Sequence, residues 1–509
     1  LYINLLELIK PSRKSGRVLF QSQRVPDRPK RGRAALVLVL LGLGLAFAAC
    51  GGKEADRPSM VLVVFDTLRP DHTGPLGYER ATTPNLVRLA ENGILFEDAT
   101  ASAAFTLPSM ATLFTSLDPV EHGVRRHLDP EGIQDRLSGR FVTLAERLKS
   151  EGYATAAVVS NSLFLLKFGF DQGFDTFDAG GRRDAGPTTD AALAWLKQRP
   201  KDRPFFLWVH YIDPHWPYNA PAEFKRPFRR DDGGQYQHIL DGFKRKRIKS
   251  DQIYFDNRLG PDGIARAVAE YDNEIAYADL HMGRLLDHLK SEGIYDETLI
   301  AAVSDHGESL GEHELFFAHS FYLYEEIQQA LMLLKPPRSS AAARVDHPVR
   351  LLDFLPTVLS LLGMDPAEGM RGRDLSPLWS GEGKAASFPD LPTYAESEPR
   401  YRTAEGLYRY PHRKRIHMEG NEGKWRMMRE GRFKLIHIPG EGRELYDLSS
   451  DPDETRNIVN ERPAVAERLM DMLERIMDQD KDAALPEPAR TGERDQKTIE
   501  EIQALGYGN

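Results

Sequence analysis

Cysteine is nearly absent: of 509 residues the only one is Cys50. A single thiol forms no internal disulfide framework and no thiolate metal site. A basic surplus is missing as well. The nine Lys/Arg of residues 1–49 against Glu7 and Asp27 give that stretch +7, which leaves -16 for the rest of a chain whose total is -9. A body of that sign repels nucleic acid, so no nucleic-acid partner is expected. There is no internal repeat, and the apolar run of residues 34–49 is short for a helix that spans a bilayer. What is present is an ordinary globular balance, 41% hydrophobic and 28% charged, in a chain long enough for one large α/β domain and a smaller one.

The apolar run has its own context. Arg31 and Arg33 precede it, and small residues close it directly before Cys50. Basic, apolar and small segments in that order read as an export signal, with an uncleaved anchor helix as the alternative. Phe47-Ala-Ala-Cys50 resembles a bacterial lipoprotein processing site, which implies that Cys50 is the lipidated first residue of the exported chain. Gly51 in place of Asp fits sorting to an outer membrane by the same resemblance. The expected division is a leader and signal over 1–49, a tether over 50–57, a catalytic domain over 58–363, and a small C-terminal unit with a helical tail over 364–509. The expected location is the cell envelope, with membrane attachment through the lipid.

Met60 to Phe65 is a continuous apolar, β-branched run, as in a strand buried on both faces of a parallel sheet, and it ends at Asp66. Ligands of open α/β sheets bind beyond the carboxyl ends of the strands, so an acid at that tip is a candidate ligand. The pattern repeats. Residues 154–159 end at Ser160-Asn161, residues 205–211 run into Asp213-Pro-His215, and residues 298–304 run into Asp305-His306. Between the first two strands lies Thr106, just ahead of a helix with Pro108 in its first turn and Met110, Leu113 and Phe114 at helical spacing. A threonine there is either a simple cap or a hydroxyl placed where a helix N-terminus favours an anion. Oxygen and imidazole donors without thiolate suit Ca²⁺, Mn²⁺, Mg²⁺ or Zn²⁺. Residues 219–263 are polar and rich in Arg/Lys, Gly and Pro, and read as an insertion or lid over the site, with the basic cluster Lys244 to Lys249 on it. Past Gly363 the texture changes to short strands with Gly turns (433–438, 445–448) and a charged helix near 463–478.

Six stretches carry a resemblance to the sulfatases of the alkaline-phosphatase superfamily: VVFDTLRPDHTGPLGY, FTLPSMATLFTS, YIDPHWPY, YDNEIAYADLHMGRLLDHL, VSDHGESLGEHELFFAHSFYLYEE and ELYDLSSDPDETRNI. The resemblance implies an alkaline-phosphatase-like fold: a large mixed, mostly parallel sheet flanked by helices, with a small C-terminal α+β unit. It further implies that Asp66, Asp305 and His306 hold a divalent metal, that Thr106 occupies the nucleophile position and touches the metal, and that His215 and His319 meet the substrate's anionic oxygens or leaving group. Whether one ion or two are held stays open, with His210, Asp213, His215, His313 or His319 as further ligands in a two-metal site. The chain departs from the sulfatase pattern at Thr106, where Cys or Ser is converted to formylglycine, at Met110, where Arg stands, at Thr67, where a second Asp stands, and across Val159-Ser160-Asn161-Ser162. Threonine cannot become an aldehyde, so the hydrated-aldehyde route to sulfate esters is closed to it. A threonine alkoxide still attacks phosphorus in line. The sequence thus favours a metal-dependent hydrolase or transferase of phosphodiesters or phosphomonoesters acting through Thr106. The alternatives are a sulfuric-ester hydrolase and an inactive glycan-binding protein on the same fold. Arg402, His412 and Lys434 of the C-terminal unit are candidates to reach the pocket.

Overall fold

The computed structural model describes residues 57–125, 133–165, 168–225, 227–248, 250–254, 258–340, 342–380, 388–398, 424–482 and 489–490. Cys50, where the export signal was expected to end, Arg402 and His412 lie outside the described residues. The described residues from Arg57 on belong to one compact unit. Among them, no helix is long and apolar enough to cross a membrane.

A nine-stranded sheet organises this unit. Its strands are β1 (Ser59–Phe65), β2 (Ile94–Thr100), β3 (Ala154–Val159), β4 (Thr176–Ala179), β5 (Phe205–Tyr211), β6 (Thr298–Ser304) and β7 (Gln329–Lys335), with Ala343–Val345 and Val349–Arg350 on the β2 edge. Across the sheet the order is β2, β7, β6, β1, β5, β3, β4. β1 lies at the centre, parallel to β5 on one side and to β6 on the other. Only β7 runs against its neighbours, pairing antiparallel with both β6 and β2. The strands are apolar throughout because both faces are covered. Val61, Val63 and Phe65 face one core and Met60, Leu62 and Val64 face the other. On the first face lie α3 (Ala185–Gln198) and the long α4 (Pro261–Ser291), through residues such as Ala192, Leu196, Tyr271, Ile275 and Met282. On the second face lies α2 (Thr106–Thr115), through Leu107, Met110, Ala111, Leu113 and Phe114.

The helix α1 (Pro84–Ala90) stops before Gly93, where the chain turns into β2, a strand that includes Glu97 and Asp98 and so lacks a continuous apolar signature. Within 219–263, helices at Gln235–Lys244 and Ser250–Tyr254 are described. They bury Tyr236, Ile239, Leu240, Ile253 and Tyr254 in the first core, so this insertion is packed rather than loose.

The C-terminal unit is a four-stranded antiparallel sheet of β8 (Thr393–Glu396), β9 (Arg426–Glu430), β10 (Phe433–Ile438) and β11 (Gly442–Asp447), covered by α5 (Pro463–Asp482). One face, with Tyr394, Met428, Leu435 and Leu445, packs on Leu469 and Leu473 of α5. The other face, with Met427, Ile436, Ile438 and Tyr446, merges into the core of the large sheet. A backbone seam completes the join. Ala104 N–H donates to Glu396 O at 3.2 Å, Glu396 N–H to Ser102 O at 3.3 Å, Ser320 N–H to Ala104 O at 2.8 Å, and Glu398 N–H to Ser320 O at 2.9 Å.

Candidate active site

The three central strands deliver their acids to one point. Asp66 follows β1, and its N–H still continues the ladder to Tyr211 O of β5 at 3.0 Å. Asp305 and His306 follow β6. One oxygen or nitrogen from each of Asp66, Asp305 and His306 lies within 4.8 Å of the others, and all three residues are buried. Asp66 Oδ2 accepts from Asn161 Nδ2 at 2.6 Å, and Asp305 Oδ1 accepts from the N–H groups of Thr67 (3.1 Å) and His306 (3.0 Å). Asp305 Oδ2 has no hydrogen-bond partner among the described residues, though His306 Nε2 lies 3.4 Å away. His306 Nδ1 donates to Gly307 O at 2.9 Å, which leaves the Nε2 lone pair facing the carboxylates.

Thr106 stands over this triangle. It is the first residue of α2 rather than the residue before it, with Phe105 as the extended N-cap. As a result its hydroxyl caps nothing and lies 3.5 Å from Asp66 Oδ1 and 3.4 Å from His306 Nε2. Ser109 in the same turn donates to Asp305 O at 2.6 Å and pins the helix to the end of β6. Thr106 thus stands at the N-terminal turn of a buried helix, the end of a helix that favours an anion.

Histidines form the opposite side. The rings of His215 and His319 are 5.0 Å apart, and those of His319 and His306 are 4.6 Å apart. His215 Nδ1 lies 2.5 Å from Trp216 O, and Arg182 holds the same loop by donating to the carbonyls of His215, Trp216 and Pro217 at 3.2–3.4 Å. His319 Nδ1 lies 2.9 Å from Glu308 Oε1, whose other oxygen accepts from Trp216 N–H at 3.3 Å. His210, at the end of β5, comes 3.9 Å from Asp66 Oδ2, and neither ring nitrogen has a hydrogen-bond partner among the described residues.

Burial sets the electrostatics. It pushes the Asp66 carboxyl well above its ordinary range, and the nearby Asp305 adds to this against the Asn161 hydrogen bond. Burial also brings His306 and His210 down to about 4 and pushes Glu308 up to about 8. His215 is held well below the usual imidazole value by burial and then by His319. His306, His210 and His215 are thus neutral, while Asp66 and Asp305 crowd two carboxyl groups into a buried site. That combination, together with the unbonded Asp305 oxygen, fits a hard or borderline divalent cation held by Asp66, Asp305 and His306 beside Thr106. When bound, such a cation supplies positive charge to an ester oxygen and lowers the pKa of a neighbouring hydroxyl.

Other candidates fall elsewhere. His313 lies 3.0 Å from Glu326 and 3.2 Å from Glu454 O, and it stacks on Tyr324. It belongs to the seam with the C-terminal unit, because the turn at residues 312–314 swings it out of the site. Lys434 is buried against Glu325 and Glu454, so that ion pair rather than the pocket takes its ammonium. Asn161, at the tip of β3 where the strand-tip pattern put Ser160-Asn161, supports the site through Asp66. Arg182, Tyr271 and Glu308 support it too, and nothing in the local pattern marks Arg182 or Tyr271.

Comparison with known proteins adds the following. Residues 58–364 match the sulfatase family, and residues 311–482 match the C-terminal region of N-sulphoglucosamine sulphohydrolase. The chain is 25% identical to N-acetylglucosamine-6-O-sulfatase of Bacteroides thetaiotaomicron, covering 91% of this chain and 94% of that one. Its fold is similar to phosphonate monoester hydrolase of Agrobacterium radiobacter, with a TM-score of 0.65 at 21% identity over 83% of this chain and 96% of that one. It is also similar to a protein solved with its substrate D-glucosamine-2-N,6-O-disulfate, with a TM-score of 0.61 at 22% identity over 86% and 100%.

Proposed function

From the premise that the chain belongs to the sulfatase family, we propose that it is a metal-dependent hydrolase of anionic esters, with sulfate esters of a glycan as the first substrate class. The observation that carries the site is the Thr106 hydroxyl within 3.5 Å of both Asp66 and His306, at the first residue of a buried helix. The relatives weigh toward sulfate, against the phosphate ester favoured from the sequence. On this proposal Thr106 Oγ1 passes its proton to Asp66 Oδ1, 3.5 Å away, and attacks the central atom of the ester; the bond to the leaving oxygen breaks, and His319 gives that oxygen a proton while Glu308 orients the ring. His215 and the N–H groups of α2 meet the non-bridging oxygens, and water then displaces the product anion from Thr106. The enzyme works in the cell envelope, exported and tethered to a membrane through Cys50.

A second reading, phosphate or phosphonate monoesters, is favoured by one feature: a threonine ester of phosphate is hydrolysed by the same in-line displacement that forms it, whereas sulfatases of the resembled type rely on an aldehyde that threonine cannot supply. The test is a substrate panel of aryl sulfate, glucosamine 6-sulfate, aryl phosphate, phosphodiester and phosphonate ester, run on metal-reconstituted wild type and Thr106→Ala. The expected result is turnover of sulfate esters that falls by roughly 10³-fold in the variant while metal binding persists. Turnover confined to phosphorus esters replaces the first reading with the second. No turnover of any ester, with metal still bound, leaves only a glycan-binding role.

A further inference from the structure

Thr67 joins the two carboxylates of the site. It follows Asp66 in the chain, and its N–H donates to Asp305 Oδ1 at 3.1 Å. Its backbone is left-handed, with φ 55°, a conformation that a β-branched residue keeps only when its surroundings over-determine it. The side chain does not hold it there, since Thr67 Oγ1 has no hydrogen-bond partner among the described residues.

Tyr271 does hold it. The phenol oxygen donates to Thr67 O at 2.8 Å and accepts Arg69 N–H at 2.9 Å, so a single atom spans the turn. Tyr271 is 0% exposed and sits in the middle of α4, packed edge-on against His72 and near the ring of Tyr218. Burial pushes its phenol well above the ordinary value, so the donor is present at every working pH. The next residue along the helix, Asp272, binds His72 Nδ1 at 2.7 Å, Tyr78 Oη at 2.9 Å and Arg80. Two successive residues of α4 therefore grip the loop that leaves β1.

We infer that Tyr271 is a positioning residue for metal binding: its hydroxyl clamps the strained Thr67 turn and so fixes the spacing of Asp66 and Asp305. The inference rests on the metal reading of Asp66, Asp305 and His306, and adds a residue that touches neither metal nor substrate. Removing only the hydroxyl leaves a carbonyl and an N–H unpaired in a dry site. The turn then relaxes to find partners for them and carries Thr67 N–H away from Asp305.

The test uses the full chain, stripped of metal and titrated with Zn²⁺ and with Mn²⁺ against a chelating dye, alongside thermal melting of the metal-free protein. Tyr271→Phe is expected to weaken metal binding by roughly 10- to 100-fold, the range seen when groups that orient ligands are removed. Adding Thr67→Gly to Tyr271→Phe is expected to restore most of the affinity, because glycine holds positive φ without strain. Adding Thr67→Ala is expected to restore none. Affinity of Tyr271→Phe within about twofold of wild type overturns the inference, as does equal behaviour of the Gly and Ala double variants. If Tyr271→Phe alone does not fold, the two double variants decide by the same rule, now read on folding and metal binding together. Wild type that binds neither ion overturns the metal reading itself, which is a separate outcome from a clamp that fails.

Discussion

Two groups of carboxylates are buried to the same degree in this protein and behave in opposite ways. At the joint with the C-terminal sheet, Glu396 is 0% exposed and meets Arg125 Nε at 2.6 Å, Tyr394 Oη at 2.7 Å, and Lys424. Burial alone would raise its pKa, but Arg125 and then Lys424 outweigh that and hold Glu396 well below the usual carboxylate range. Burial and the neighbouring Arg125 bring Lys424 itself down to about 7, so Arg125 is the cation that fixes the charge. At the strand tips Asp66 is also 0% exposed, yet its nearest strong influence after burial is another carboxylate, and its pKa moves up. A buried charge with its partners built in is a structural joint. A buried pair of carboxyl groups, one raising the pKa of the other, has the electrostatics of a functional site rather than of a joint.

The largest effect that sharpens this contrast is expected at Asp305. Asp305→Asn should lower turnover by about 10³-fold or more, roughly 4 kcal/mol of barrier, and weaken metal binding in parallel. Denaturant unfolding of the metal-free form should be unchanged or slightly improved, because a repulsion has been removed. Next comes Glu396→Ala, which strands Arg125 and Lys424 in the interior and should cost about 3–5 kcal/mol of stability by the same measurement. If Asp305→Asn destabilised the metal-free protein as much as Glu396→Ala does, the contrast would be broken.

The smallest effect is a difference in sign. The raised Asp66 pKa means that the folded state holds its proton more tightly than the unfolded state. Its contribution to metal-free stability is therefore greatest at acid pH and is lost as pH rises from the ordinary Asp range through the raised value. Glu396 is the reverse: its contribution is present above the ordinary Glu range and lost as pH falls through the depressed value. Each group accounts for a slope of at most ~1.4 kcal/mol per pH unit. Asp66→Asn should flatten the first slope and Glu396→Gln the second, both read from denaturation midpoints across a pH series. Saturating metal should flatten only the first.

These two regions were not equally legible from the chain. The runs at 60–65, 205–211 and 298–304 are apolar on both faces, so each announces a buried strand, and the polar residue that ends it announces the sheet edge where Asp66, His210 and Asp305 meet. Asp66, Asp305, His306 and Thr106 could be brought together from that rule and the motif resemblance, and the structure does bring them together. The joint was opaque. Glu396 ends a four-residue strand with no long apolar run, and its partners Arg125 and Lys424 lie 271 and 28 positions away. The strand β2, with Glu97 and Asp98 in its middle, was missed for the same reason. The exact role of Thr106 was half-visible. Helical spacing located the helix start, but whether the hydroxyl folds back as a cap or turns toward Asp66 and His306 depends on one residue of register, which only the backbone resolves.

The seam between Ser102, Ala104, Ser320, Glu396 and Glu398 has a consequence for the order in which the protein comes into being. Residues 102–104 leave the ribosome roughly 290 residues before Glu396 does, a delay on the order of 15–60 s at ordinary synthesis rates. Until then the stretch that leads into Thr106 has no Glu396 to pair with, and Ser320 has no Glu398. A nascent or truncated chain ending before Glu396 thus carries Asp66, Thr106, His215, Asp305, His306 and His319 but not the strand whose backbone pairs with the stretch leading into Thr106.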